Sequence, residues 1–130
     1  MTWVLDASAI LALVNDEQGS ASVVAALEAG AAMSPVNLTE VSVVLQRHGW
    51  PEGHAAAFIA ELNVFVPPAD RAIATGAASF EPESQRVGLS LGDRYCLATA
   101  IALDATVLTA DRSWSQLDAS VTRASVECLR

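Results

Sequence analysis

Thr2-Trp3-Val4-Leu5-Asp6-Ala7-Ser8 opens the chain and decides its fold. Trp3 to Leu5 is a run of bulky apolar residues without polar alternation, the pattern of a strand buried on both faces in the middle of a parallel sheet. Ala7 to Val14 then carries Ile10, Leu11, Leu13 and Val14 at helical spacing. Asp6 therefore falls at a strand-to-helix turn, on the carboxyl edge where open α/β sheets hold their ligands. It follows a buried strand directly, and no capping partner for it is in view, so a functional role is expected.

Working outward, Ser20 to Glu28 reads as a second helix closed by Gly30, and Ala31-Ala32-Met33 as a short strand before Ser34-Pro35. Asn37 is expected to open a third helix, with Leu38, Val41, Val44 and Leu45 on one face. Pro51 starts a fourth helix to Leu62, followed by a strand, Val64-Phe65-Val66, that ends at Pro67-Pro68. A fifth helix covers Ala69 to Ser79, Glu83 to Gly88 reads as a polar loop, and a sixth helix runs from Leu91 to Leu103. Thr106 to Thr109 is a strand, Asp111 to Gln116 a short turn of helix, and Val121 to Val126 an edge strand. Strands alternating with helices predict a three-layer α/β/α domain, single over residues 1–130, with a mainly parallel central sheet of four to five strands.

The bulk properties narrow the function. Apolar residues make up 52% of the 130 residues and charged ones 17%, so part of the surface is expected to be apolar and covered in an oligomer or complex. Apolar runs fall short of the ~20 residues that span a bilayer, and the start lacks a basic region before a long apolar stretch, so a cytoplasmic, non-membrane protein is expected. Cys96 and Cys128 make neither a metal spacing nor a disulfide framework, and Cys96 among Tyr95, Leu97 and Ala98 reads as a buried structural thiol. His48 and His54 flank a turn as surface residues. The net charge is -8 and all seven cations are arginine. Without lysine there is no P-loop, and phosphoryl-aspartate chemistry of the receiver or haloacid dehalogenase kind loses its partner residue. The Ala7-Ser8-Ala9 that follows Asp6 is not a dinucleotide-binding glycine fingerprint.

Four carboxylates stand out by position: Asp6 at the end of the first strand, Glu40 and Asp93 in first turns of helices, and Asp111 just past a strand. In a parallel sheet these places gather on one rim, where four acids would raise one another's pKa unless a cation held them. All-oxygen ligation favours Mg²⁺ or Mn²⁺ over zinc. A local reading stands beside this one. Asn37-Leu38-Thr39-Glu40 and Ser90-Leu91-Gly92-Asp93 each have the form of a capping box, and Asp111 can cap its own short helix. Glu81 and Glu83 read as solvated loop acids.

The order Val4-Leu5-Asp6-Ala7-Ser8, Asn37-Leu38-Thr39-Glu40-Val41, Leu91-Gly92-Asp93-Arg94-Tyr95-Cys96-Leu97-Ala98 and Val107-Leu108-Thr109-Ala110-Asp111-Arg112-Ser113-Trp114 closely resembles the PIN-domain nucleases. Among these it looks most like the VapC toxins of bacterial toxin-antitoxin pairs. Each motif is weak alone, but the four in family order are specific. The resemblance implies that Asp6, Glu40, Asp93 and Asp111 are catalytic and metal-binding, with Ser8 and Thr109 as supporting hydroxyls. It implies a Mg²⁺- or Mn²⁺-dependent endoribonuclease that leaves a 5′-phosphate. It also implies a homodimer or larger complex with a cognate antitoxin protein. Arg94 and Arg112 each follow a candidate ligand and are expected to reach RNA phosphates, or else to pair with neighbouring acids. The deficit of cations predicts weak, selective RNA contact. The alternatives are a catalytically silent PIN-fold binding module and a metal-dependent hydrolase of small phosphates.

Overall fold

In the computed structural model, which describes residues 2–117 and 125–129, the Trp3–Leu5 run is strand β1 and lies inside a parallel sheet. Seven helices follow among the described residues: α1 (Ala7–Val14), α2 (Ser20–Glu28), α3 (Pro35–Arg47), α4 (Glu52–Glu61), α5 (Arg71–Ala78), α6 (Glu81–Val87) and α7 (Leu91–Leu103). Strand β2 (Thr106–Thr109), a 3₁₀ turn (Arg112–Gln116) and strand β3 (Ser125–Cys128) complete them.

The three strands lie in the order β1-β2-β3, all parallel, with Val4 opposite Val107 and Val107 opposite Val126. The two short strands expected at residues 31–33 and 64–66 are reduced to single parallel bridges, Val4 to Ala32 and Ala32 to Phe65. They extend the sheet beyond β1, giving five neighbouring segments that run in one direction. Four of the positions expected in the last strand, 121–124, lie outside the described residues, and β3 begins at Ser125.

Alternation along the strands splits the core into two layers. Val4, Ala32 and Val107 point to one face, against Cys96, Leu97 and Ala100 of α7 and against Phe80, Leu89 and Trp114. Leu5, Met33 and Leu108 point to the other, against Ile10 of α1, Val23 of α2, Val41 and Leu45 of α3 and Ala55 of α4. The result is the α/β/α sandwich expected from the alternation of elements.

Two elements depart from the sequence reading. The third helix begins at Pro35 rather than Asn37: Ser34 is its cap, its Oγ accepting from the Val36 amide at 3.2 Å, with the proline in the first turn. Residues 83–88 are not a loop; α6 forms there, with Pro82 near its start and Gly88 left-handed (φ +71°) at its end. Glu83, read as solvated, is consequently turned inward and buried, while Glu81 stays exposed.

Candidate functional site

Because the strands share a direction, their C-terminal ends form one rim, and helices that leave a strand begin there. Asp6 leaves β1, Ser34 leaves the Ala32 bridge into α3, and Thr109 to Asp111 leave β2. Helix α7 runs back antiparallel to the β2 that follows it, so its first turn, with Asp93, also lies at the rim. Topology alone thus brings together side chains more than a hundred positions apart in the chain, as the Ser8 to Thr109 contact records.

Asp6 is 3% exposed and is the N-cap of α1, a role for which the sequence showed no partner: Oδ1 accepts from the Ala9 amide at 2.9 Å. Ser8 Oγ donates to the same oxygen at 2.7 Å, and Thr109 Oγ1 donates to Oδ2 at 2.5 Å. Each hydroxyl also accepts a backbone N–H, Ser8 from Ala110 at 2.9 Å and Thr109 from Asp111 at 3.0 Å. A hydroxyl has one proton, so both point at Asp6, and the 3.2 Å approach of Ser8 to Thr109 is a contact between two committed donors. Burial nevertheless outweighs these three hydrogen bonds and, with a smaller push from Asp93, raises the Asp6 carboxyl to about 6.

Asp93 closes a capping box with Ser90, accepting from its amide at 2.8 Å while Ser90 Oγ accepts from the Asp93 amide at 3.1 Å. Both readings of this residue hold, since a cap acid can also face the rim. Its carboxyl is raised by burial and by the charge of Asp111. Glu40 is half-buried in the second turn of α3, too deep in the helix to complete a capping box with Asn37. Its carboxyl too is raised by burial and by Asp93. Asp93 is thus the acid whose charge reaches both Asp6 and Glu40 and which in turn feels Asp111.

Asp111 is exposed and caps the 3₁₀ turn, accepting from the Ser113 amide at 2.9 Å and hydroxyl at 2.8 Å. Arg94 turns to α6: Nη1 meets Glu81 Oε2 at 2.7 Å and Nη2 donates to Ser84 Oγ at 2.7 Å. The hydrogen bond from Gln85 and this arginine hold the Glu81 carboxyl below its usual range. Arg112 is exposed beside Asp111. Cys96, one turn along from Asp93 and fully buried, has its thiol pushed up by burial and by Asp6, Asp93 and Glu40, which fits a structural rather than nucleophilic thiol.

Sequence reasoning assigned Asn37 to a cap and gave Gly92 no role. Asn37 is buried on α3 in line with Val41 and Leu45, an i, i+4, i+8 stripe that was the available signal. Its Nδ2 donates to Glu40 Oε1 at 2.8 Å and to the Gly92 carbonyl at 3.2 Å.

The chemistry of the donor set fits a hard divalent cation. The donors are carboxylate oxygens, and the charges acting on Asp6, Glu40 and Asp93 are other carboxylates, which an ion would neutralise. Three donors on Asp6 prepare it as an anion that its buried position penalises. As the side chains stand, no three acids among the described residues converge closely enough to hold an ion.

The PIN-domain family model matches residues 3–120. The chain belongs to the PIN-domain family. Solved structures share the fold of this PIN domain at low identity. A chain of the DNA-bound VapBC from Salmonella typhimurium aligns with TM-score 0.75 and 16% identity, covering 100% of this chain and 99% of that chain. A chain of VapBC2 from Rickettsia felis, bound to a DNA fragment from the promoter, aligns with TM-score 0.74 and 16% identity over 98% of both chains. A chain of VapBC-1 from nontypeable Haemophilus influenzae gives 0.72 and 18% over 99% of this chain and 98% of that one. No curated protein matches the chain significantly in sequence.

Proposed function

We propose that this PIN domain, a single domain over residues 1–130, is a metal-dependent endoribonuclease and the toxin of a toxin-antitoxin pair. The observation that carries the reading is the buried Asp6 carboxylate at the rim of a PIN-domain sheet, held by three donors, with the capping acid Asp93 in the first turn of α7. Asp6 and Asp93 are the principal residues for Mg²⁺ or Mn²⁺, with Glu40 binding directly or through water. A bound divalent ion supplies charge neutralisation for the scissile phosphate and lowers the pKa of a water.

The chain's own residues supply the rest. Ser8 and Thr109 fix the Asp6 carboxylate by donating to different oxygens, so it presents one orientation to the rim. The Ser90 amide holds the Asp93 carboxylate by donating to Oδ2. Asp111 completes a second site or orients the attacking water. Hydrolysis forms a bond from water oxygen to phosphorus and breaks the bond to the 3′ oxygen, leaving a 5′-phosphate and a 3′-hydroxyl. Arg112 is exposed beside Asp111, where it can meet a phosphate, whereas the Arg94 guanidinium points to Glu81 and Ser84 of α6.

The toxin reading is supported by the likeness to chains of VapBC structures and by apolar side chains left exposed, among them Phe65, Val66 and Leu91, that a homodimer or an antitoxin segment would cover. The test is brief expression with and without the neighbouring gene, followed by sequencing of the RNA ends produced. Growth arrest relieved by the neighbour, with recurrent 5′-phosphate ends, supports the proposal; normal growth with an unchanged RNA profile refutes it. That no three acids converge among the described residues favours one second reading, a silent binding module. That reading predicts RNA left intact with either ion.

A further inference from the structure

We infer that Asn37 and Gly92 are positioning residues that seat the Glu40 carboxylate against the first turn of α7, beside Asp93. The inference rests on the metal-dependent reading of the rim.

Gly92 lies in the first turn of α7 with ordinary helical backbone, so no turn or left-handed conformation calls for glycine there, and glycine lowers helix stability relative to alanine. What calls for it is space. A Cβ at this position would lie 2.5 Å from Glu40 Cδ and 2.7 Å from Oε2, closer than such contacts occur. The carboxylate therefore occupies the volume a side chain would take.

Asn37 holds it there. The asparagine is 1% exposed, and its amide spends both N–H protons, one within α3 on Glu40 Oε1 at 2.8 Å and one across to α7 on the Gly92 carbonyl at 3.2 Å. Two acceptors around one end of the amide fix which end carries nitrogen. Its Oδ1 has no partner among the described residues, so burying this amide is costly in itself. A glycine that weakens its helix and a half-satisfied buried amide meet at one point, and both serve the placement of Glu40. Without them the like charge of Asp93 would push the Glu40 side chain toward solvent, and the rim would lose one of its oxygens.

The two substitutions separate placement from folding. In Gly92→Ala the obstructing atoms belong to the far end of a flexible side chain, so Glu40 swings aside and the helix gains an alanine. The experiment is calorimetric titration of Mn²⁺, without RNA, into the parent, Gly92→Ala, Asn37→Ala, Glu40→Ala and the double variants with Glu40→Ala, alongside thermal unfolding of each. The expected result is Mn²⁺ affinity about tenfold weaker in Gly92→Ala and in Asn37→Ala, a melting temperature for Gly92→Ala at or above the parent's, and no further loss when either is added to Glu40→Ala. If Asn37→Ala fails to fold, Gly92→Ala alone decides. Parental affinity in Gly92→Ala overturns the inference while leaving the metal-dependent reading intact, as does a further loss on top of Glu40→Ala. A parent that binds no Mn²⁺ overturns both.

Discussion

Two hydroxyls and a backbone N–H donate to the Asp6 carboxylate, yet burial raises its pKa from 3.8 to about 6. A group whose folded pKa is raised holds its proton more tightly in the folded than in the unfolded chain. Its contribution to stability is therefore fully present below about pH 4, declines as pH rises toward 6, and stays lost above that. Without added metal, the unfolding temperature is expected to fall across this window, and Asp6→Asn to flatten that part of the profile. Mg²⁺ or Mn²⁺ should raise the unfolding temperature at pH 7.5 and do little at pH 4.5, where protons occupy the same oxygens. Equal stabilisation at both values would contradict the reading. Asp6 was legible as a candidate because an acid directly after a buried strand showed no capping partner in the sequence. Its capping of α1 was not, because a cap at the end of a strand carries no sequence mark apart from the acid itself. Ser8 and Thr109 entered through the family likeness, and the geometry then gives each a definite proton to donate.

Helix ends set the acids, and two of these ends differ from the sequence expectation. Ser34-Pro35 ends one extended segment and also caps the next helix, and only the second role places Asn37 inside α3, with Glu40 a turn beyond reach of a capping box. For α6, proline and four charged or amide side chains over 81–86 mimic a loop; the helix survives because Pro82 sits in the first turn, where its missing N–H costs nothing, and Gly88 ends it. The ends of α1, α2, α7 and β2 were legible because apolar periodicity and flanking polar residues agree there. Two outcomes follow for elements. Ser90→Ala removes the side-chain cap of α7 and should cost about 1 kcal/mol of stability by denaturant unfolding, while the Asp93 carboxylate keeps its bond from the residue 90 amide. Leu97→Ala, fully buried between α7 and the sheet, should cost about 2–5 kcal/mol through the cavity it leaves, and a loss well under 1 kcal/mol would contradict the packing described.

For the molecule as a whole, a net charge of -8 limits how it meets a polyanion. Few phosphates are neutralised by side chains, so RNA binding should weaken only gently as salt rises, which filter binding over a salt series would measure. A slope as steep as that of a basic nucleic-acid protein would place the RNA on a surface other than this rim. The α/β/α architecture and the parallel sheet were legible from element order alone, whereas the reduction of two short strands to single bridges was not, since three apolar residues fit either. The most direct test of the central claim is cleavage of RNA by the purified protein with Mg²⁺ or Mn²⁺ and with chelator, for the parent, Asp6→Asn and Asp93→Asn. The account predicts cleavage by the parent that chelator abolishes and that each substitution lowers on the order of 100-fold or more, with both variants folded. Cutting by either variant at the parental rate, or cutting unaffected by chelator, would contradict it.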